Sequence, residues 1–213
     1  MQGKGYRTRV IMLGAVLVLM AAPAVGSAEH PASEVQVDAG YIIPGGDLAD
    51  GFGDTALGFG ADPGLEVGFL WRYRFDLHWS LAPAFHFVNY SNFKGTDEVA
   101  GDYTVRATSY RYGLQLRRTF GDREGWQPFV MAGVGLFRNR VEGRDKILLE
   151  PFDRSVSTLG YSFQLGVRRK QVEIGVVGQI NRFSSWRFFA PDKEQDYSWD
   201  AVSLRFSWLI PGS

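Results

Sequence analysis

The chain has 213 residues and no cysteine, and its 23 Lys plus Arg balance its 23 Asp plus Glu. This length suits one sizeable domain, and the absence of cysteine excludes a disulfide-stapled fold, a cysteine zinc site and a thiol nucleophile. No basic excess attracts nucleic acid, so we expect no nucleic-acid partner. With only 3 histidines, we also expect no metal and no cofactor.

The first segment is predicted to be a secretory signal peptide. Basic residues without any acid precede an apolar stretch, Val10 to Met20, which runs into small residues up to Ala28. The apolar stretch is shorter than the roughly 20 residues of a membrane-spanning helix, and the small residues match a cleavage site. We expect residues 1–28 to be removed by cleavage after Ala28, with Gly26 as the second candidate. Residues 29–213 then form the mature domain.

The mature chain alternates apolar and polar residues with a period of two. Between Gly64 and Phe75, aromatic and aliphatic residues take one parity, whereas Glu66, Arg72 and Arg74 take the other. A β-strand sends these two sets to opposite faces. An arginine on the lipid face of a barrel costs about 2–4 kcal/mol at the bilayer midplane. We therefore predict that the apolar parity contacts lipid and the charged parity lines the lumen.

The same alternation recurs along the chain and predicts eight strands of about ten residues, the length of a tilted transmembrane strand. In the other strands, the outward parity begins at Val35, Leu81, Tyr110, Val130, Leu159, Val172 and Val202. The stretch from Phe129 to Phe137 is an exception, because both of its parities are apolar. There we predict that Gly133 and Gly135 face the lumen.

The connections between the predicted strands alternate in length. Long polar connections cover residues 44–63, 91–103, 141–157 and 184–196, and short ones cover residues 76–78, 121–127 and 169–171. Short periplasmic turns and long extracellular loops produce this alternation in outer-membrane barrels, and closure removes the strand edges that lipid cannot satisfy. We predict an all-β, eight-stranded antiparallel up-and-down transmembrane β-barrel. The main alternative is a soluble lipocalin-like barrel, which would bury the apolar parity and expose the charged one.

Two short runs of sequence carry a family resemblance. The run from Trp126 to Gly135 and the run from Gly40 to Asp47 resemble the start of the fifth strand and the end of the first strand in small outer-membrane β-barrels of the OmpA and OmpX type. The resemblance implies a cell outer-membrane protein that contacts lipid and lipopolysaccharide after export through the periplasm. It also implies assembly by the outer-membrane insertion machinery, to which the last strand offers Leu204, Phe206 and Trp208.

The lumen of an eight-stranded barrel is just wide enough to be filled by side chains. The inward parity carries Asp38, Glu66, Arg72, Arg74, His86, Arg111, Arg117, Arg168, Glu173 and Arg205. We expect the arginines to bind the carboxylates and Gln115, Gln164 and Gln179, with inward glycines leaving room for the guanidinium groups. This network is predicted to be a structural plug. The alternative is a narrow, porin-like conduit for small solutes, since rings of arginine favour anions.

We expect no enzymatic activity. The end of the chain is similar to barrels that deacylate lipid A, whose lipid-facing His-x-Ser pair is replaced here by Asn181 and Phe183. Without the imidazole no base activates a hydroxyl, so a degenerate enzyme of this kind is the second alternative. His86 is the other candidate base. Its predicted register places Gly68 opposite and Glu66 diagonal to it, but no nucleophile or oxyanion site completes the set.

The last long loop is unusually aromatic. Its candidate binding patch comprises Trp186, Arg187, Phe188, Phe189 and Lys193. The favoured role is the aromatic girdle at the membrane surface, and the alternative is a docking patch for lipopolysaccharide or another cell surface. The sequence as a whole predicts a surface barrel without catalysis that supports envelope integrity or presents loops to an external partner.

Overall fold

The computed structural model describes residues 33–49, 61–91, 93–97, 101–121, 125–144, 151–185 and 195–211. The predicted signal peptide and the loop patch at residues 186–193 lie outside these ranges. Among the described residues, no helix combines the length and the apolar character needed to cross a membrane.

The described part of the chain consists almost entirely of β-strands. They are β1 (Ser33–Pro44), β2 (Asp62–Arg74), β3 (Trp79–Ser91), β4 (Phe93–Asp97), β5 (Gly101–Thr119), β6 (Gln127–Arg144), β7 (Pro151–Arg169), β8 (Val172–Ile180), β9 (Arg182–Ser185), β10 (Gln195–Ser198) and β11 (Ala201–Pro211). A 3-10 turn at Gly46–Leu48 follows β1. Strand β4 extends β3 along β5, and β9 pairs with β10 above the β8–β11 pair, so eight strands form the wall.

Antiparallel pairing closes the wall into a barrel. Strand β1 pairs with β2 on one side and with β11 on the other. The order continues β11-β8-β7-β6-β5, and the pairing of β3 with β5 joins the two ends of the sheet. The turns β2–β3, β5–β6 and β7–β8 lie at the same end as the start of β1 and the end of β11. This is the periplasmic end in such barrels, and the predicted eight-stranded up-and-down fold is confirmed.

The two faces of the wall are divided as the period of two predicts. On β2, Phe69 and Trp71 are 49% and 59% exposed, whereas Glu66 and Arg72 are 1% and 3% exposed. Outward apolar side chains on other strands include Tyr41, Tyr112, Val134, Leu165, Val176 and Leu204. A lipocalin-like barrel would bury this apolar parity, so that alternative is wrong for this chain.

Three strands are much longer than the sequence predicts. Strands β5 and β7 have 19 residues each and β6 has 18, against the roughly ten that cross a bilayer. Much of the predicted loop at residues 141–157 is therefore strand, and β6 and β7 remain paired along it. Its outward side chains are polar, and four of them are charged: Arg138, Arg140, Glu142 and Asp153. This part rises beyond the membrane as an extracellular extension, where apolar residues no longer occupy the outward parity.

The lipid-facing parity is tested by two arginine substitutions on one strand. Phe69 and Tyr73 share the outer face of β2, with Phe69 nearer the middle and Tyr73 at the periplasmic end. We expect Phe69→Arg to lower the free energy of unfolding by about 2–4 kcal/mol and Tyr73→Arg by about 0–1 kcal/mol, because the cost falls towards the interface. Reversible urea unfolding in lipid vesicles measures both. Equal losses would contradict the assignment of the outer face.

The extracellular extension contains an ion pair whose pH dependence follows from its geometry. Arg140 donates to both carboxylate oxygens of Asp153, at 2.8 and 2.6 Å. These hydrogen bonds hold the pKa of Asp153 below its usual value. The pKa of Asp153 is lower in the folded than in the unfolded state. The pair therefore stabilises the extension fully at pH values above the unfolded-state pKa, and this stabilisation is lost as the pH falls through the folded-state pKa. In an NMR titration, Arg140→Gln is expected to raise the pKa of Asp153; an unchanged value would show that the pair does not form.

Candidate functional site

All ten side chains predicted on the lumenal parity lie inside the barrel, where they form two groups. We define the periplasmic cluster as Glu34, Arg72, Arg74, Arg117, Arg168 and Glu173. The central cluster consists of Asp38, Glu66, His86, Arg111 and Arg205. Gln36 connects the two, because it accepts a hydrogen bond from Arg72 and donates one to Asp38 at 2.6 Å.

Glu34 is a lumenal carboxylate that the sequence analysis missed. Both Nη atoms of Arg168 donate to it at 2.9 Å, and Arg74 Nη2 donates at 2.8 Å. Arg72 Nη1 lies 3.5 Å from the same carboxylate. The predicted first strand begins at Val35, but β1 begins two residues earlier. Extending the alternation by one residue would have placed Glu34 on the inward parity.

Glu173 is the second carboxylate of the periplasmic cluster. Arg72 Nη1 donates to it at 3.0 Å, and Arg117 Nη1 is hydrogen-bonded to the same oxygen. The guanidinium of Arg117 also lies over the ring of Phe129, 3.8 Å from its centroid, and its Nε donates to Thr119 Oγ1 at 3.1 Å. Each arginine is thus oriented by more than one partner, which suits a planar fork of donors.

In the central cluster, Arg205 joins two carboxylates. Its Nη2 lies 2.6 Å from Glu66 Oε1, and its Nη1 lies 3.6 Å from Asp38 Oδ2. Arg111 Nη1 lies 3.6 Å from Glu66, and Arg111 Nη2 donates to the hydroxyl of Tyr90 at 3.0 Å. Tyr90 is 1% exposed and was not identified from the sequence.

The imidazole of His86 binds a different carboxylate from the one expected. Gly68 lies opposite His86 as predicted, but His86 Nε2 is hydrogen-bonded to Asp38 Oδ2 at 2.9 Å, not to Glu66. Gly68 explains the difference, because it has no side chain and its other cross-strand partner is Asp38. The imidazole therefore reaches across the glycine to the next strand.

The inward glycines make room for rings and amides, not for guanidinium groups as expected. A side chain at Gly68 would meet the ring of His86, one at Gly166 would meet Phe129, and one at Gly175 would meet Gln164. Planar groups can pack directly on the strand backbone where a glycine has no side chain. The guanidinium of Arg117 lies in turn over the ring of Phe129. Gly166 and Gly175 thus position Arg117 and Arg205 indirectly, through Phe129 and Gln164.

The glutamines play a smaller part than predicted. Gln164 accepts a hydrogen bond from Arg205 at 3.4 Å, whereas Gln179 donates to the carboxylate of Glu66 at 3.4 Å. Gln115 Oε1 has no hydrogen-bond partner within the described ranges. A cavity of about 30 Å³ lies beside Gln115, Arg111 and Arg205, and a polar cavity of this size has room for about two water molecules.

The extracellular half of the lumen contains a group of packed apolar side chains. We name this group the apolar plug; its members are Ile42, Leu48, Ala61, Val88, Tyr90, Val105, Ala107, Val141, Phe183, Tyr197, Trp199 and Ala201. The inward parity of several strands thus changes from charged to apolar towards the outside. This change was not predicted from the sequence, because charged residues were expected on the inward parity.

The two positions that correspond to the deacylase pair face the lumen. Asn181 is fully buried and accepts a hydrogen bond from Asn139 Nδ2 at 3.0 Å, and Phe183 belongs to the apolar plug. In the enzymes that this part of the chain resembles, the pair faces lipid. Within the part of the chain that the structure describes, no three His, Asp or Glu side chains converge as metal ligands would.

The barrel geometry agrees with comparisons of the sequence and the fold. Residues 12–208 match the model of the outer membrane protein beta-barrel domain. The chain belongs to this family. The match begins within the predicted signal peptide. No curated protein matches the chain in sequence.

Solved structures of other outer-membrane barrels share the fold. Ail, the attachment invasion locus protein of Yersinia pestis, is 11% identical with a TM-score of 0.54, over 85% of this chain and 99% of Ail. Neisserial surface protein A is 15% identical with a TM-score of 0.52, over 84% of this chain and 96% of that protein. The TM-scores above 0.5 show a shared barrel fold, and at these identities they show the fold alone.

Removal of one buried carboxylate tests the periplasmic cluster. We expect Glu173→Gln to lower the free energy of unfolding by about 3–5 kcal/mol, because it leaves buried guanidinium groups without their counter-charge. The control is Glu142→Gln, which removes a carboxylate that pairs with Arg140 on the outer surface of the extracellular extension. This variant is expected to unfold nearly as the parent does, since water screens exposed pairs. Equal effects in urea unfolding would show that the buried network adds nothing.

Proposed function

We propose that this protein is a non-enzymatic surface barrel that supports the envelope and presents its extracellular hairpins to an external partner, after export through the periplasm and removal of residues 1–28. The observation that carries the proposal is the length of β5, β6 and β7, which have 18 to 19 residues each. Roughly ten residues cross the bilayer. A barrel that served only as a membrane anchor has no need of an extension of this size.

The base of the extracellular extension has the chemistry to contact lipopolysaccharide. On the outer face of β6, Leu136 is 49% exposed and Arg138 follows on the same parity, so the membrane surface lies between them. Arg106 lies farther out on the outer face of β5, opposite Glu142, and its Nε donates to Asn89 Oδ1 at 3.2 Å. Guanidinium groups outside the membrane surface can meet the phosphates of the outer leaflet. We call Arg106 and Arg138 the arginine belt. Lipopolysaccharide is the partner that we propose for this belt.

We further propose that the lumen is a plug and not a conduit. Arg72, Arg117 and Arg205 are 2 to 3% exposed, and the apolar plug fills the lumen above them. An ion crossing this interior would have to displace paired charges and packed rings. This arrangement favours the structural plug over the porin-like alternative.

The interior also supports the proposal that the protein has no catalytic activity. His86 is 4% exposed and is hydrogen-bonded to Asp38 inside the wall, out of reach of a lipid-sized substrate. Asn181 and Phe183 face the lumen as well, so a deacylase site cannot form at the lipid face there. Mass spectrometry of lipid A from cells that produce the protein is expected to show unchanged acylation.

Binding of purified lipopolysaccharide tests the partner. We expect the double variant Arg106→Gln, Arg138→Gln in nanodiscs to bind it about tenfold or more weakly, since each basic side chain near an anionic lipid surface contributes about 1 kcal/mol. The matched control is Arg118→Gln, Arg169→Gln, which removes two exposed arginines at the periplasmic end. The same weakening in both variants would contradict a localised belt.

Deletion of residues 186–193 separates the two roles of the aromatic loop patch. If the patch is part of the girdle, lipopolysaccharide affinity stays constant and the midpoint of unfolding falls. If it is a docking patch, affinity falls while the midpoint stays constant. We expect the first result, because aromatic residues at the membrane interface anchor barrels of this kind.

Planar-bilayer recording tests the plug. The reconstituted protein is expected to give no stable conductance steps, because its lumen is occupied by side chains. Glu142→Gln, which changes a charge outside the lumen, serves as a control for insertion. Steps with anion selectivity from the parent protein would favour the conduit instead.

A further inference from the structure

The periplasmic cluster contains more positive than negative charge. Four guanidinium groups, those of Arg72, Arg74, Arg117 and Arg168, share two carboxylates through the contacts described above. In the central cluster, by contrast, two carboxylates face two arginines. Among the lumenal residues that the structure describes, the excess positive charge is thus concentrated at the periplasmic end.

A small cavity lies where these four arginines converge. It has a volume of about 10 Å³ and is lined by all four of them, by His78, and by Ser80 and Thr119, which carry hydroxyl groups. The His78 turn belongs to the short β2–β3 connection, so the cavity lies at the periplasmic mouth of the lumen. Arg74 and Arg168 are 23% and 15% exposed there, whereas Arg72 and Arg117 lie deeper.

One donor at this cavity has no acceptor. Arg117 is 2% exposed, and its Nη1, its Nε and one face of its guanidinium are occupied by Glu173, Thr119 and Phe129. Its Nη2 has no hydrogen-bond partner in the ranges that the structure describes. A buried N–H of a charged group without an acceptor is unfavourable, and an anion relieves both this deficit and the local charge excess.

We propose that this cavity binds a small inorganic anion, which Arg117 Nη2 holds together with Arg72 and Arg168. The volume is at the lower limit for one water-sized particle, so we propose that the cavity takes at most a single halide ion, or one oxygen atom of a larger oxyanion at the mouth. The barrel wall separates the cavity from the bilayer, so the anion comes from the periplasmic solution and not from a lipid headgroup. The bound anion joins strands β2, β5 and β7, from which these arginines project.

Bromide locates the site directly. Crystals of the parent protein grown with sodium bromide are expected to show an anomalous peak beside Arg117, within contact distance of Arg72 or Arg168. A bromide peak found only elsewhere on the surface would be an adventitious ion only and would count against the proposal. A peak that is absent from the cavity, or water refined there in its place, would overturn the proposal.

The thermal midpoint of unfolding in detergent provides an independent measure. At constant ionic strength, replacing sodium gluconate with sodium chloride is expected to raise the midpoint in a saturable way, because a ligand that binds only the folded state stabilises it. Arg117→Gln removes the anchoring donor and is expected to weaken the apparent chloride affinity about tenfold or more. If the parent protein responds to chloride and gluconate alike, the proposal fails.

A neighbouring residue supplies the matched control. Arg118 follows Arg117 on β5 but points outwards, where its guanidinium lies over Trp79 and Phe120. Arg118→Gln removes the same charge from the same strand and is expected to leave the chloride response unchanged. If Arg117→Gln does not fold, Arg117→Lys keeps the charge but removes the fork, and the same loss of chloride affinity is expected. An equal loss in the Arg118 variant would overturn the proposal.

Discussion

Hydrocarbon accepts neither a charged side chain nor an unpaired backbone amide, and this double constraint shapes the wall of the barrel. The second part of it requires closure, which the pairing of β1 with β11 provides. The first part sends the guanidinium groups at membrane depth inwards, where they share carboxylates, whereas Arg118 and Arg169 point outwards only at the periplasmic end. The two lumenal clusters follow from this crowding.

The lumenal charges do more than fill space. Buried ion pairs seldom stabilise a protein more than apolar packing of the same volume would, because desolvation opposes the attraction. A strand with charged residues on one parity can turn only that parity towards the lumen. The stretch from Phe129 to Phe137 is apolar on both parities, so either of its faces could contact lipid. A one-residue slip would turn Arg72 or Arg205 towards lipid, so the charges fix the orientation and the register of the strands that carry them.

The wall could be predicted from the sequence because a period of two is a property of each strand alone. The contacts inside could not, because they depend on registers between strands that are distant in sequence. His86 is the clearest case: its own hairpin pointed to Glu66, and only the β1–β2 register brings Asp38 across Gly68. The extracellular extension escaped prediction for another reason. Outside the lipid the sense of the alternation is reversed, with Val105 and Val141 facing inwards and Arg106 and Arg140 facing outwards, so the pattern of apolar outward residues no longer marks the strands.

The seam between β1 and β11 makes the barrel depend on the completeness of its chain. Glu34 and its partner Arg168 are 134 residues apart, and Glu66 and Arg205 are 139 residues apart. A chain that stops before Ala201 lacks Arg205 and leaves one edge of β1 open. Closure therefore depends on the full length of the chain: without β11, one edge of β1 would expose unpaired backbone groups that hydrocarbon cannot satisfy.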